Sequence, residues 1–147
     1  MKPIVYLAGP IDDIPLEHAQ RWRDIATADL EGRSVAVYDP TREVSNLRAL
    51  VALDLGRSTR EIAAARICSW NRRAIGESVC MLAALAGPGR AFGTIREIEY
   101  AKQLQIPVVL WANPPVVSFE AWDLFQYPSY REAMEHVLHI VQSRVSA

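Results

Sequence analysis

Cysteine is scarce in this sequence, with two among 147 residues. That is too few for a disulfide scaffold, and the pair lacks the spacing of a metal site. Cys68 and Cys80 both lie among apolar neighbours and are expected to be buried, reduced thiols. No one sign of charge dominates. Sixteen basic side chains face seventeen acidic ones, a formal net charge of -1, so the electrostatic footprint of a nucleic-acid binder is missing. No apolar run reaches the ~20 residues of a membrane span. The opening MKPIVYLAGPIDD lacks the apolar core and cleavage pattern of a secretory signal. A cytoplasmic protein that binds neither membrane nor polynucleotide is therefore expected. The seven glycines spell neither G-x-G-x-x-G nor G-x-x-x-x-G-K, so neither standard phosphate loop is present. Repeats, low-complexity tracts and linkers are also lacking.

What is present is an ordinary globular composition, 50% hydrophobic and 22% charged, in a chain of one-domain length, residues 1–147. Residues 3–8 (PIVYLA) form a short β-branched run stopped by Gly9-Pro10, a strand followed by a turn. Trp22, Ile25, Ala26 and Leu30 then recur at helical spacing up to Gly32. Residues 34–38 (SVAVY) read as a strand and 46–55 as a helix. Ser58-Thr59-Arg60-Glu61 has the capping-box pattern and opens a helix to about Cys68. Residues 78–85 (SVCMLAAL) are continuously apolar, as in a strand covered on both faces. A helix over 94–105, a strand over 107–111 and an amphipathic helix over 129–145 complete the pattern. Residues 70–77 and 114–128 give no clear assignment. Strands alternating with helices predict an α/β fold: a doubly wound, mostly parallel sheet of about five strands with helices on both faces. In such folds ligands bind beyond the carboxyl ends of the strands.

Two segments at that edge carry chemistry. Gly9, after the first strand, lets the backbone turn and approach a ligand. Asp12 and Asp13 follow, and carboxylates suit sugar hydroxyls or base N–H groups better than phosphate. The second segment is Gly93-Thr94-Ile95-Arg96-Glu97-Ile98-Glu99-Tyr100-Ala101. Thr94 and Glu97 form T-x-x-E, which on its own is a capping box that starts a helix. Its place after the third strand also puts Glu97 at the ligand edge, where an ionised carboxylate can act as a nucleophile. Glu99, some 200° further around the helix, is expected to face solvent.

Together, Tyr6-Leu7-Ala8-Gly9-Pro10 and the segment from Gly93 to Ala101 resemble the nucleoside 2-deoxyribosyltransferase-like family. The resemblance spans roughly residues 3–112 of the sequence. It implies a doubly wound fold of the flavodoxin or Rossmann kind and cleavage of the N-glycosidic bond of a 2′-deoxynucleoside. Carried onto this chain, it implies that Glu97 attacks the anomeric carbon and that Tyr6 orients it by a hydrogen bond. Gly9, Pro10, Ile11 and Asp12 would line the sugar and base pocket. Asn71 falls near a family aspartate close to the base. Phe92, beside Gly93, is placed to stack on a base. The departing base needs a proton, and Asp39, Asp12 and Asp13 are the candidate acids. Two departures stand out: Arg90-Ala91-Phe92 replaces an aspartate commonly found just before the late glycine, and Asn71 cannot act as an acid. The reaction requires no cofactor and no metal. Its partners would be a nucleoside and a free nucleobase. Relatives assemble as dimers or larger oligomers, so a homo-oligomer is expected, with the apolar stretch 114–127 at the interface.

Two other readings compete: a glycoside hydrolase acting on a nucleoside monophosphate, and a non-catalytic nucleoside- or nucleotide-binding sensor. Asp12 and Asp13, where nucleotide-specific relatives carry serines and arginines, favour a nucleoside. Several residues carry no functional expectation. His18, His136 and His139 are expected on solvated helix faces, and Arg42, Arg72, Arg73 and Arg96 at the surface. Trp22 and Trp70 are expected in or near the core. Trp111 and Trp122 are placed to stack on a base or pack an interface.

Overall fold

The computed structural model describes residues 1–11, 14–42, 57–87, 91–116 and 124–147. Five strands build its sheet: β1 (Ile4–Ala8), β2 (Ala36–Tyr38), β3 (Cys80–Ala84), β4 (Val108–Trp111) and β5 (Phe125–Tyr127). Four helices flank it among these residues: α1 (Leu16–Glu31), α2 (Arg57–Glu77), α3 (Phe92–Gln103) and α4 (Tyr130–Val145). The strand order is β2-β1-β3-β4-β5. Every pairing is parallel, with Val5 opposite Val37 and Cys80, Leu82 opposite Val109, and Leu110 opposite Gln126. This is the doubly wound arrangement expected from the alternation of patterns.

Alternation along each strand explains the two cores. Val5, Leu7, Cys80, Leu82 and Val109 face one side, where Ala26 and Leu30 of α1 and Ala133, Met134, Val137 and Val141 of α4 cover them. Tyr6, Ala8, Met81, Ala83, Val108 and Leu110 face the other, beneath Ala74 and Ile75 of α2 and Ile98 and Ala101 of α3. All five β3 residues are buried, which accounts for the unbroken apolar run. Chain direction reverses its winding between β1 and β3, so the turns after these strands flank the switch point where such sheets bind ligands.

Several boundaries differ from expectation. The helix expected over 58–68 is already running at Arg57 and continues to Glu77. Asn71 and Gly76 disfavour helix locally, but burial of Ala74 and Ile75 against the sheet outweighs that preference. Cys68 is exposed on this helix rather than buried, whereas Cys80 is buried in β3; both thiols are free. β5 lies inside the unassigned 114–128 stretch, and only three residues pair, too few for a pattern to show. β2 is also three residues long, because Ser34 takes a left-handed turn (φ 63°) instead of joining the strand. α4 does start as expected, with Ser129 Oγ accepting from the Glu132 N–H. The helix expected over 46–55 lies outside the described residues, as do Trp122 and much of the apolar 114–127 stretch. No described helix is long and apolar enough to cross a membrane.

Candidate active site at the carboxyl ends of the strands

The register of β1 turns Tyr6 toward α2 and α3, where it has no exposed surface. A buried phenol needs a partner for its O–H. That partner is Glu97: the Tyr6 hydroxyl donates to Glu97 Oε1 at 2.8 Å. The expected capping box does not form. α3 begins at Phe92, its N-cap is Ala91, and the cap makes no side-chain hydrogen bond. Thr94 is thus the third helical residue and is buried. Glu97 falls in the second turn rather than the first, and from there it reaches across to the sheet. Phe92-Gly93, an unlikely opening by propensity, hid this earlier start.

Burial pushes the Glu97 carboxyl up to about 7, against the Tyr6 hydrogen bond and the positive charge of Arg23, which both favour ionisation. One side of the residue still opens to a cleft, so the carboxylate is crowded by protein yet reachable. Burial, followed by the charge of Glu97, drives the Tyr6 phenol far above its ordinary range. Tyr6 therefore remains a donor at any physiological pH.

Two side chains join this pair that the sequence did not single out. Tyr38, the last residue of β2, stacks on Tyr6 with ring centroids 5.4 Å apart and planes 13° from parallel. Its hydroxyl donates to Asn71 Oδ1 at 3.0 Å. Arg23 of α1 is fully buried. It donates from Nη2 to the Gly9 carbonyl at 2.9 Å and from Nη1 to the Ala19 carbonyl at 2.6 Å. The signal for Arg23 was its spacing, for it shares one face of α1 with buried Ala19, Ala26 and Leu30. The signal for Tyr38 was its position at a strand's carboxyl end.

A cavity of about 330 Å³ opens between α2 and α3, lined by Cys68, Asn71, Arg72, Gly93, Arg96, Glu97, Glu99 and Tyr100 among others. That is at the lower end of small-molecule sites. Arg72 and Arg96, expected to be plain surface charges, face this space, and the Arg72 guanidinium lies 5.7 Å from the Tyr100 ring centre. Glu99 is exposed, as expected.

The remaining expected residues are dispersed. Phe92 is 73% exposed and does not line this cavity. Asp39 does not line it either. It is buried, its Oδ1 accepts from the Thr41 N–H and Oγ1, and it lies 3.4 Å from Arg23 Nε. Its carboxylate is turned to Thr41 and Arg23 rather than to the cavity. Pro10 lines a separate apolar cavity of about 150 Å³ with His18, Trp22 and Trp111. Ile11 is partly buried, and Asp12 and Asp13 lie outside the described residues. Gly9 is required sterically: a Cβ there would come within 2.9 Å of the Trp22 ring and 3.3 Å of Arg23 Nη2.

Trp111 packs edge-on against Trp22 and Tyr130, and Trp70 is 48% exposed. His136 is not on a solvated face: Tyr127 bonds it at 2.6 Å and Phe125 packs against it. Among the described residues no three His, Cys, Asp or Glu side chains gather as metal ligands would.

No protein-family model and no curated protein matches this chain. Solved structures do match. A 2-deoxyribosyltransferase from Bacillus psychrosaccharolyticus superposes with a TM-score of 0.64 at 16% identity, over 89% of this chain and 90% of its own. A CMP N-glycosidase from Clostridium botulinum gives 0.53 at 14% identity, over 91% and 96%. A conserved protein from Enterococcus faecalis gives 0.57 at 15%, over 98% and 99%. In fold, the chain is therefore similar to the nucleoside 2-deoxyribosyltransferase-like enzymes.

Proposed function

We propose that this protein cleaves the N-glycosidic bond of a 2′-deoxynucleoside through Glu97 and passes the deoxyribosyl group to a second base or to water. The observation that carries this reading is the buried Tyr6 hydroxyl bonded to Glu97 at 2.8 Å, at the edge of a cavity a small molecule can enter. The shared fold with a deoxyribosyltransferase and a CMP N-glycosidase supports it.

The chemistry follows from the groups present. Tyr6 holds one carboxylate oxygen, leaving the other to attack the anomeric carbon. As that C–O bond forms, the C–N bond breaks and its electron pair leaves with the base, which takes up a proton from water in the open cleft. The positive charge developing on the sugar is stabilised by the carboxylate, as in retaining glycosidases. A base or a water then displaces Glu97 from the same carbon, and configuration is retained overall. Asn71 has its Oδ1 engaged by Tyr38, so its N–H groups are what it offers to an acceptor on the base. It orients the base and supplies no proton. Only ionised Glu97 attacks, so turnover rises with pH through about 7.

A nucleoside monophosphate is a second reading with its own observation: Arg72 and Arg96 line the cavity that holds Glu97, and guanidinium groups suit phosphate. The decisive test is chromatographic. Deoxynucleosides and their monophosphates are incubated with the protein, with and without a second free base, beside Glu97→Ala. New nucleoside that depends on Glu97 establishes transfer, and free base alone establishes hydrolysis. Loss of turnover in Glu97→Ala is expected to reach at least ~10³-fold. Substrate binding without turnover in the unaltered protein would replace this reading with that of a sensor.

A further inference from the structure

Resting on the glycosyl-transfer reading of Glu97, we propose that Arg23 is a positioning residue of that reaction. It pins the turn after β1 and fixes a buried positive charge at the carboxyl end of the strand whose Tyr6 holds Glu97.

Arg23 is unusual for its setting. Its neighbours on the inner face of α1 are Ala19, Ala26 and Leu30, and like them it has almost no surface in water. A buried ion pair seldom stabilises a fold more than apolar packing of the same volume does, so stability alone does not call for an arginine here. What the arginine does is bridge elements. One arm of its fork bonds its own helix at Ala19, and the other bonds the Gly9 carbonyl. Its Nε makes no hydrogen bond and faces Asp39 Oδ1 at 3.4 Å. Its Cζ lies 4.7 Å from the Trp22 ring centre. Asp39 is itself fixed by Thr41. The guanidinium thus ties the end of β1 to the end of β2 and cannot swing away.

The charged and titratable groups described around Glu97 are Tyr6 on β1, Tyr38 on β2, Arg23 on α1, Cys68 and Arg72 on α2, and Arg96, Glu99 and Tyr100 on α3. Arg72, Arg96 and Glu99 are exposed, and water and salt screen them. Arg23 is not screened in this way. Around Arg23 stand Asp39, Glu97 and Tyr6; burial works against its charge and these three sustain it. The helices that carry Arg23 and Glu97, α1 and α3, pack on opposite faces of the sheet. Any net pull of Arg23 on Glu97 is what Asp39 leaves unneutralised.

The test follows the Glu97 carboxyl by ¹³C NMR titration in the unaltered protein, Arg23→Met, Arg23→Lys and Asp39→Asn, with pH–rate profiles alongside. Glu97→Gln assigns the resonance. Arg23→Met is expected to raise the Glu97 midpoint by about half to one unit, and Asp39→Asn to lower it. The acid limb of the rate profile moves with each. Arg23→Lys keeps the charge but loses the fork to Gly9, so the midpoint returns most of the way while KM stays raised several-fold. A midpoint that does not move in Arg23→Met would overturn the proposal, because Asp39→Asn alone lowers a nearby carboxyl by removing a negative charge. If Arg23→Met fails to fold, Arg23→Gln, neutral and still able to bond Gly9, decides it: an unmoved Glu97 midpoint overturns the proposal. The titration needs no substrate: shifted midpoints in a protein that turns over no glycoside would sink the reaction while leaving the electrostatic coupling in place.

Discussion

Glu97, by its burial, makes the stability of the fold depend on pH. Its folded value of about 7 stands above the usual 4.5, so between these values the folded chain binds more protons than the unfolded chain. Stability is then fully present below about 4.5 and is lost as pH rises to about 7. Glu97→Gln removes that dependence while keeping an acceptor for Tyr6. Its melting temperature should match the parent near pH 4.5 and exceed it above pH 7, by ~1–3 kcal/mol in stability after allowing for the open cleft. A variant less stable than the parent at pH 8 would contradict this account. At this scale legibility was uneven. Tyr6 and Glu97 sit in short motifs whose residue types are tied to a reaction, so the sequence pointed to both. Arg23 and Tyr38 have no such motif. An arginine on an apolar helix stripe becomes conspicuous only when the helix is seen to be seated on the sheet.

At the scale of elements, the chain leaves β1 through a closely packed glycine. Gly9 is packed among Trp22, Arg23 and the Ala84 carbonyl. Gly9→Ala should therefore force the indole and guanidinium aside and lower stability by ~1–3 kcal/mol in thermal unfolding, although alanine is no hindrance in an ordinary turn. Strands buried on both faces were legible because their apolar runs are unbroken, as in residues 80–84. Helix limits were less so. Local rules ended α2 at about Cys68 and started α3 at Thr94, whereas α2 runs on to Glu77 through Ala74 and Ile75, buried against the sheet, and α3 starts at Phe92. The T-x-x-E pattern misled most instructively. Its glutamate is held by a tyrosine 91 positions away in sequence, a contact no local pattern contains.

At the scale of the molecule, the sheet ends in two very short strands, β2 and β5, of three residues each. Half-exposed Phe125 on β5 packs against His136 and gives that edge an apolar surface. This supports assembly with a second copy, as the family resemblance implies. Light scattering at micromolar concentration should return at least a dimer mass, and a monomer would rule against it. The division of labour across the sheet has a further result. In the proposed reaction Glu97 hangs from one helical layer and Arg23 from the other, with the sheet between them. Lesions in the α1 seam at Ala26 or Leu30, remote from any substrate, would then reach Glu97 by letting Arg23 drift. In a genetic screen they would score as catalytic defects in a protein that still folds.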